Sequence, residues 1–265
     1  MTTLTFSSVY GPVKSWRYGR SLGIDPIGQV STCSFNCVYC QLGEIEHQTS
    51  ERKVFIPTGH IIQDLWRFAP WDVDIITLSG SGEPTLALNL AEILTRVKEL
   101  THKPTLVLTN GTLLSEPTVR AALTSADRVS VKLDATTPDL LRRVNRPLQG
   151  IELTDIWQGL ELFRAEYEGH LSIQTMILSK WDDKARADYI ARMKFLAPDE
   201  IQLNIPTRPK PLKRQLDGRE NHSHGESSYA VQILKCVSAE VLQAFKTEIE
   251  NATGIPVSCA PAPSN

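Results

Sequence analysis

Cys33, Cys37 and Cys40 are separated by three and then two residues, so one short stretch of chain can bring three thiols together. Cys236 and Cys259 stand far apart and form no second motif, which is the pattern of isolated packing residues. Five cysteines are too few for a disulfide scaffold in 265 residues, and an odd number points to metal or catalytic chemistry. Two metal chemistries fit. A structural zinc needs four protein ligands, and the nearest fourth is His47, seven residues beyond Cys40. An iron–sulfur cube held by three thiolates instead leaves one iron without a protein ligand, where a cofactor or substrate can coordinate and exchange electrons. The spacing alone leaves both open.

A second chemically suggestive run is Ser79-Gly80-Ser81-Gly82-Glu83-Pro84. Small residues let backbone approach a ligand closely, and the Glu83 carboxylate is a charge-assisted acceptor for an ammonium group. The same composition also makes an ordinary turn between a strand and a helix. Two basic groups follow, Arg142, Arg143 and Arg146 in one, and Arg208, Lys210, Lys213 and Arg214 in the other. Guanidinium groups suit bidentate contact with phosphate, so these seven cations predict an anionic substrate, an RNA or a nucleotide-like small molecule. Against that stands the ordinary fate of loop charges, which is solvation. His222 and His224 lack a carboxylate pair that would complete a metal site, and they read as solvated linker.

Groups so far apart in sequence need a frame to gather them. Short β-branched runs predict strands at 21–26, 73–80, 105–110, 128–134, 171–178 and 200–206, of parallel-sheet character because most read as apolar on both faces. Between them, apolar residues three and four apart predict helices over 59–68, 88–100, 115–125, 154–168 and 184–196, with Ser115 and Thr154 as N-caps and Gly169 as a stop. Repeated β/α units with right-handed crossovers wind into an open or closed barrel, and loops at the strand C-termini collect the functional groups. The cysteines and Ser79–Pro84 both follow such strands. Residues 210–228 are polar and rich in Pro, Gly and His, which predicts a flexible linker; a strand-like run at 230–237 and a helix over 239–252 capped by Ser238 follow. The expected division is a core over 1–212 and a linker with a strand–helix extension over 213–265.

A chain that is 41% hydrophobic can bury one sizeable core. A formal net charge of -2 provides no global field for nucleic acid, so any polyanion contact must be local. No run approaches a membrane span and no signal segment stands at the start, so a cytoplasmic protein without membrane contact is expected. The sequons at Asn110, Asn221 and Asn251 matter only in a secreted chain.

The run Cys33-Ser34-Phe35-Asn36-Cys37-Val38-Tyr39-Cys40, with an aromatic before the last cysteine, resembles the three-cysteine motif of the radical S-adenosylmethionine (SAM) superfamily. That resemblance implies a partial (β/α)6 barrel and a [4Fe–4S] cluster on the three thiolates. The amine and carboxylate of S-adenosyl-L-methionine would chelate the fourth iron, and reduction would yield a 5′-deoxyadenosyl radical. Ser79–Pro84 resembles the superfamily's Gly-Gly-Glu segment, which implies a cofactor-binding role for Gly80, Gly82, Glu83 and Pro84, with Tyr39 beside them. Thr109-Asn110-Gly111 and Ser130–Asp134 are similar to further superfamily positions. They imply that Asn110, Ser130 and Asp134 face the cofactor and that Lys132 approaches a carboxylate or substrate phosphate; a buried Lys132–Asp134 pair of structural value fits the same residues.

Within the superfamily the chain resembles, over about residues 9–212, a group related to the wyosine-type tRNA-modifying enzymes. Tyr10–Val13, Arg20–Asp25, Gln41–Gly43 and Val144–Pro147 extend the likeness beyond one motif. No lysine is placed for a covalent pyruvate adduct, so the wyosine reaction itself is not implied. The expectation is an oxidoreductase or transferase fed by a reductant such as flavodoxin or ferredoxin, with a tRNA base or another anionic substrate. Two rivals are a peptide-modifying or glycyl-radical-activating enzyme of the same superfamily, and an RNA-binding zinc module.

Overall fold

A computed structural model describes residues 6–219 and 229–261. Eight strands form one sheet: β1 (Val9–Ser15), β2 (Gly19–Ile24), β3 (Ile75–Leu78), β4 (Thr105–Thr109), β5 (Arg128–Lys132), β6 (His170–Met176), β7 (Glu200–Asn204) and β8 (Val257–Cys259). Their spatial order is their chain order. β1 pairs with β2 antiparallel and every other pairing is parallel, so each β/α unit adds its strand on the same side and the sheet curls into a half-barrel. Helices follow as α1 (Thr58–Trp66), α2 (Leu90–Thr101), α3 (Pro117–Leu123), α4 (Pro138–Val144), α5 (Leu153–Glu166), α6 (Asp183–Leu196) and α7 (Ala239–Thr253).

Strand residues alternate between two environments. Leu22, Ile24, Ile76, Leu78, Val129, Val131, Ile173 and Ile201 belong to the single core that also takes Ile93, Leu94 and Val97 of α2 and Leu160 and Phe163 of α5. Each such side chain, fully withdrawn from water, contributes roughly 1.5–3 kcal/mol. The opposite face carries Ser21, Thr77, Ser130, Lys132, Gln174, Gln202 and Asn204. The expectation of strands apolar on both faces is therefore corrected: the inner wall of the half-barrel lines a cavity and is polar.

All six predicted strands are present, each within a few residues of its expected bounds. Three elements are additional. β1 carries Pro12 and a register irregularity between Tyr10 and Val13, both tolerated because it is an edge strand. α4 is only seven residues long; Thr137 caps it by accepting from Leu140 N at 3.2 Å, with Pro138 in the first turn. β8 has three residues. α3 and α5 start after Glu116 and Glu152, so Ser115 and Thr154 are not their caps. Ser238 does precede α7, and Gly254 ends it in the left-handed region at φ 73°. The run 230–237 supplies only Val231–Gln232, which pair with Lys210–Pro211. Residues 210–219 pack on the body of the protein, whereas His222 and His224 lie outside the described residues. Among the described residues no helix is long and apolar enough to cross a membrane.

Candidate active site

The three cysteines lie on the loop that leaves the C-terminal end of β2. Thr32 and Cys33 pair with His47 and Gln48 in a short parallel ladder, and Thr32 also bridges Gly82 on the loop after β3. Thr32 N donates to Ser81 O at 2.9 Å and Glu83 N donates to Thr32 O at 3.0 Å. A Cβ on Gly82 would fall 1.7 Å from Thr32 O, so only glycine lets the two loops meet there. Gly80, at φ 120°, turns beneath Asp25, whose Cγ would stand 2.5 Å from an added Cβ. On its other side the cysteine loop is held by the end of α4, through Asn36 N to Asn145 O at 3.0 Å and Val38 N to Val144 O at 2.9 Å.

Cys33, Cys37 and Cys40 are free thiols lining one cavity of about 380 Å³, together with Gly80, Gly82, Asn110 and Lys132. Amide groups surround the sulfurs: Asn110 Nδ2 lies 3.6 Å from Cys33 Sγ, and Asn145 Nδ2 lies 3.5 Å from Cys37 Sγ. Burial pushes the Cys33 thiol well above its ordinary range, Cys37 to about 11 although Lys132 pulls it back, and Cys40 upward too. Buried thiols of this kind ionise when a metal takes the place of the proton. Among the described residues no three His, Cys, Asp or Glu side chains gather closely enough to hold a single ion. A lone zinc needs its sulfurs about 2.3 Å from one point, whereas a cube spreads three thiolates over three irons. His47 points to solvent.

The carboxylates behave differently from what their types suggest. Glu83 is buried, and its oxygens accept from Thr109 Oγ1 at 2.6 Å, Asn110 N at 2.7 Å, Thr85 Oγ1 at 2.7 Å and Thr85 N at 3.1 Å. Burial pushes its carboxyl upward despite those donors. It ties the end of β4 to the 3₁₀ turn Pro84–Leu86, which Pro84 opens. Asp134, equally buried, accepts from Tyr39 OH, from Asn145 Nδ2 at 2.7 Å and from Met176 N at 2.8 Å. Its oxygens face those partners, and Lys132 makes no ion pair with it among the described residues. Instead Lys132 Nζ stands 4.4 Å from the centroid of the Tyr39 ring and faces the cavity. Ser130 is fully buried on β5, and its hydroxyl has no partner among the described residues.

The basic residues divide. Arg142 is exposed and paired with Asp139 at 2.6 Å, and Arg143 and Arg146 are exposed beside it. Arg208 lines the cavity. Lys210 is buried against Glu44 of the cysteine loop at 2.7 Å, and Arg214 donates to Ser81 Oγ of the loop after β3 at 2.8 Å, so the two fasten the segment after β7 over both loops. Three residues that carry the site were given no role from sequence. Asp25 accepts from Ile27 N, Gly28 N and Ser81 N and pairs with Arg219 at 3.0 Å. Its signal was an Asp at a strand end followed by Pro26 and Gly28. Asn145 stood only inside the Val144–Pro147 likeness, with no role attached, and Arg17 gave no signal, because its partner Asn204 lies far along the chain.

Residues 30–193 match the radical SAM superfamily. A UPF0026 protein of Synechocystis sp. is 58% identical over 260 residues, 97% of each chain. A UPF0026 protein of Methanocaldococcus jannaschii is 34% identical over 77% of this chain and 65% of its own. A "Probable GTP 3′,8-cyclase" of Saccharolobus islandicus is 28% identical over 51% of this chain and 44% of its own. In fold, Streptococcus suis SuiB bound to S-adenosylmethionine superposes with a TM-score of 0.61 at 13% identity, over 88% of this chain and 49% of that one. The thiol loop, the glycine cradle and the sequential half-barrel thus agree with the match over most of the chain, which belongs to the radical SAM superfamily of enzymes.

Proposed function

We propose that Cys33, Cys37 and Cys40 hold a [4Fe–4S] cluster with one iron left open for S-adenosylmethionine, and that the enzyme acts on an anionic substrate. One observation carries this: three unpaired thiols and a two-glycine cradle line the same cavity. When bound, cluster and cofactor supply one-electron cleavage of a carbon–sulfur bond and hydrogen abstraction from the substrate. The chain's residues do the rest. Gly80 and Gly82 let the loop backbone approach the cofactor, and Glu83 fixes that loop rather than offering a free carboxylate. Asn110 and Asn145 direct amide hydrogens at the thiolates, which lowers their negative charge. Tyr39, held by Asp134, closes the space between the cysteine loop and Lys132. Ser130, fully buried on β5 without a partner among the described residues and just outside the cavity lining, would meet a cofactor hydroxyl once the cavity opens as far as its side chain. The electron comes from a small donor such as a flavodoxin or ferredoxin.

A cavity lined by Lys132 and Arg208 favours a small anionic substrate, and the similarity to probable GTP 3′,8-cyclases supports that class. A tRNA base is the second reading. It rests on the likeness to wyosine-type enzymes and on the exposed Arg142, Arg143 and Arg146 at the end of α4 that holds the cysteine loop. Anaerobic reconstitution with iron and sulfide should yield roughly four iron atoms per chain in wild type and in His47→Ala, and none in Cys37→Ala. Reduced wild type should then release 5′-deoxyadenosine. Stoichiometric zinc that departs on His47→Ala would favour the binding module instead.

A further inference from the structure

We propose that Arg17 and Arg208 together seat a phosphate group of the substrate inside the cysteine-lined cavity, an inference that rests on reading that cavity as a substrate site. The two arginines arrive from opposite sides of the sheet, Arg17 on the tip of the β1–β2 hairpin and Arg208 just after β7. The hairpin tip is anchored. Ser15 Oγ accepts from Arg17 N at 3.2 Å and from Tyr18 N at 3.3 Å, while Tyr18 OH crosses to Gln202 Oε1 at 3.2 Å. Arg17 Nη1 donates to Asn204 Oδ1 at 3.3 Å and Arg208 Nη1 donates to Gln41 Oε1 at 2.6 Å. Both partners are neutral amides. Arg17 Nε is buried with no hydrogen-bond partner among the described residues, its guanidinium lying 5.3 Å from the Trp16 ring and 5.7 Å from the Tyr18 ring.

Both arginines are half-buried without a carboxylate partner, whereas the cations with the most buried side chains are paired: Arg219 with Asp25 at 3.0 Å, Lys210 with Glu44 at 2.7 Å, Arg120 with Glu166 at 2.8 Å. Burial lowers the pKa of Arg17 although Tyr18 and Glu200 pull it back, and burial followed by the charge of Arg17 lowers Arg208. Glu200 is engaged elsewhere, accepting from Ser258 Oγ at 2.7 Å and Gln202 Nε2 at 3.0 Å. Glu83 also lines the cavity, but four donors hold it. Two like charges partly withdrawn from water, neither with a carboxylate partner, repel each other in the cavity, and such arrangements recur at binding sites. Lys132 adds a third positive charge to the same space. A phosphate monoester, a dianion with oxygens for two guanidinium forks, balances the two arginines; a carboxylate balances one of them.

Equilibrium dialysis of radiolabelled inorganic phosphate against the full-length protein tests this, in wild type, Arg17→Gln, Arg208→Gln and the double variant Arg142→Gln/Arg143→Gln. Wild type should bind one phosphate per chain. Each of the first two variants should bind at least about tenfold more weakly, the weight of a lost charge-assisted contact, while the double variant binds as wild type does. Acetate at equal ionic strength should not displace phosphate. Binding unchanged in Arg17→Gln and Arg208→Gln, lost in the double variant, or displaced by acetate overturns the proposal. Should Arg17→Gln fail to fold by calorimetry, Arg208→Gln decides alone. Phosphate binding without cleavage of S-adenosylmethionine by wild type would defeat the parent reading and leave this site standing, and cleavage without phosphate binding would do the reverse.

Discussion

Glu83 illustrates what residue type conceals. As a letter beside glycines it looks like an acceptor for a cofactor's ammonium group, yet its oxygens already accept four hydrogen bonds from Thr85, Thr109 and Asn110. Its substitution by Gln should therefore act first on structure. An amide nitrogen turned toward those donors leaves buried N–H and O–H groups unsatisfied, a loss of about 2–4 kcal/mol measurable by urea unfolding of the apoprotein. If stability were unchanged and only cofactor affinity fell, Glu83 would be a ligand contact and not a fastening. That the three cysteines gather on one cavity was legible in their spacing, which left zinc and an iron–sulfur cube both open. Asp134 was named from the resemblance, but its partners and those of Arg17 were not legible, since only the folded chain supplies them: Tyr39 and Met176 in one case, Asn204 in the other.

At the level of elements, periodicity carried far because six of the strands alternate with helices long enough to show a buried stripe. α4 spans barely two turns, and β1 interrupts its pattern with Gly11 and Pro12, so neither has room for a period. β1 is held instead by a polar anchor. Asp64 on α1 accepts from Ser8 N at 2.9 Å and Ser8 Oγ at 2.8 Å, with Arg67 at 3.2 Å. Burial opposes its charge, but those donors more than offset it and hold the carboxyl below its ordinary range. A carboxyl with a depressed folded-state pKa stabilises above its unfolded value, about 3.9, and that contribution is lost as pH falls through the lower folded value. Asp64→Asn should be less stable at neutral pH by about 1–3 kcal/mol and should lose less stability than wild type on acidification below about pH 4. Parallel acid limbs for the two proteins would contradict this.

Across the whole molecule, residues 210–219 cross back onto the N-terminal part of the chain beside the thiols. Residues 210–219 look from composition like solvated linker, but Gln215 N donates to Leu42 O at 3.0 Å and Arg219 pairs with the fully buried Asp25. Composition could not show this, because Lys210, Arg214 and Arg219 find their carboxylates, Glu44, Glu46 and Asp25, in the N-terminal fifth of the chain. Arg219→Gln leaves Asp25 buried without its cation and should cost about 3–5 kcal/mol, whereas adding Asp25→Asn should return part of that loss. Thermal unfolding of the two single variants and the double variant measures the coupling, and additive losses would refute it.

The central claim is that three thiolates hold a cube whose remaining iron is open, and electron paramagnetic resonance of the reduced, reconstituted protein addresses it directly. The account predicts a [4Fe–4S] signal that changes its g values when S-adenosylmethionine is added and keeps them in His47→Ala. A signal indifferent to the cofactor, or one altered by His47→Ala, would mean that the fourth iron is already taken.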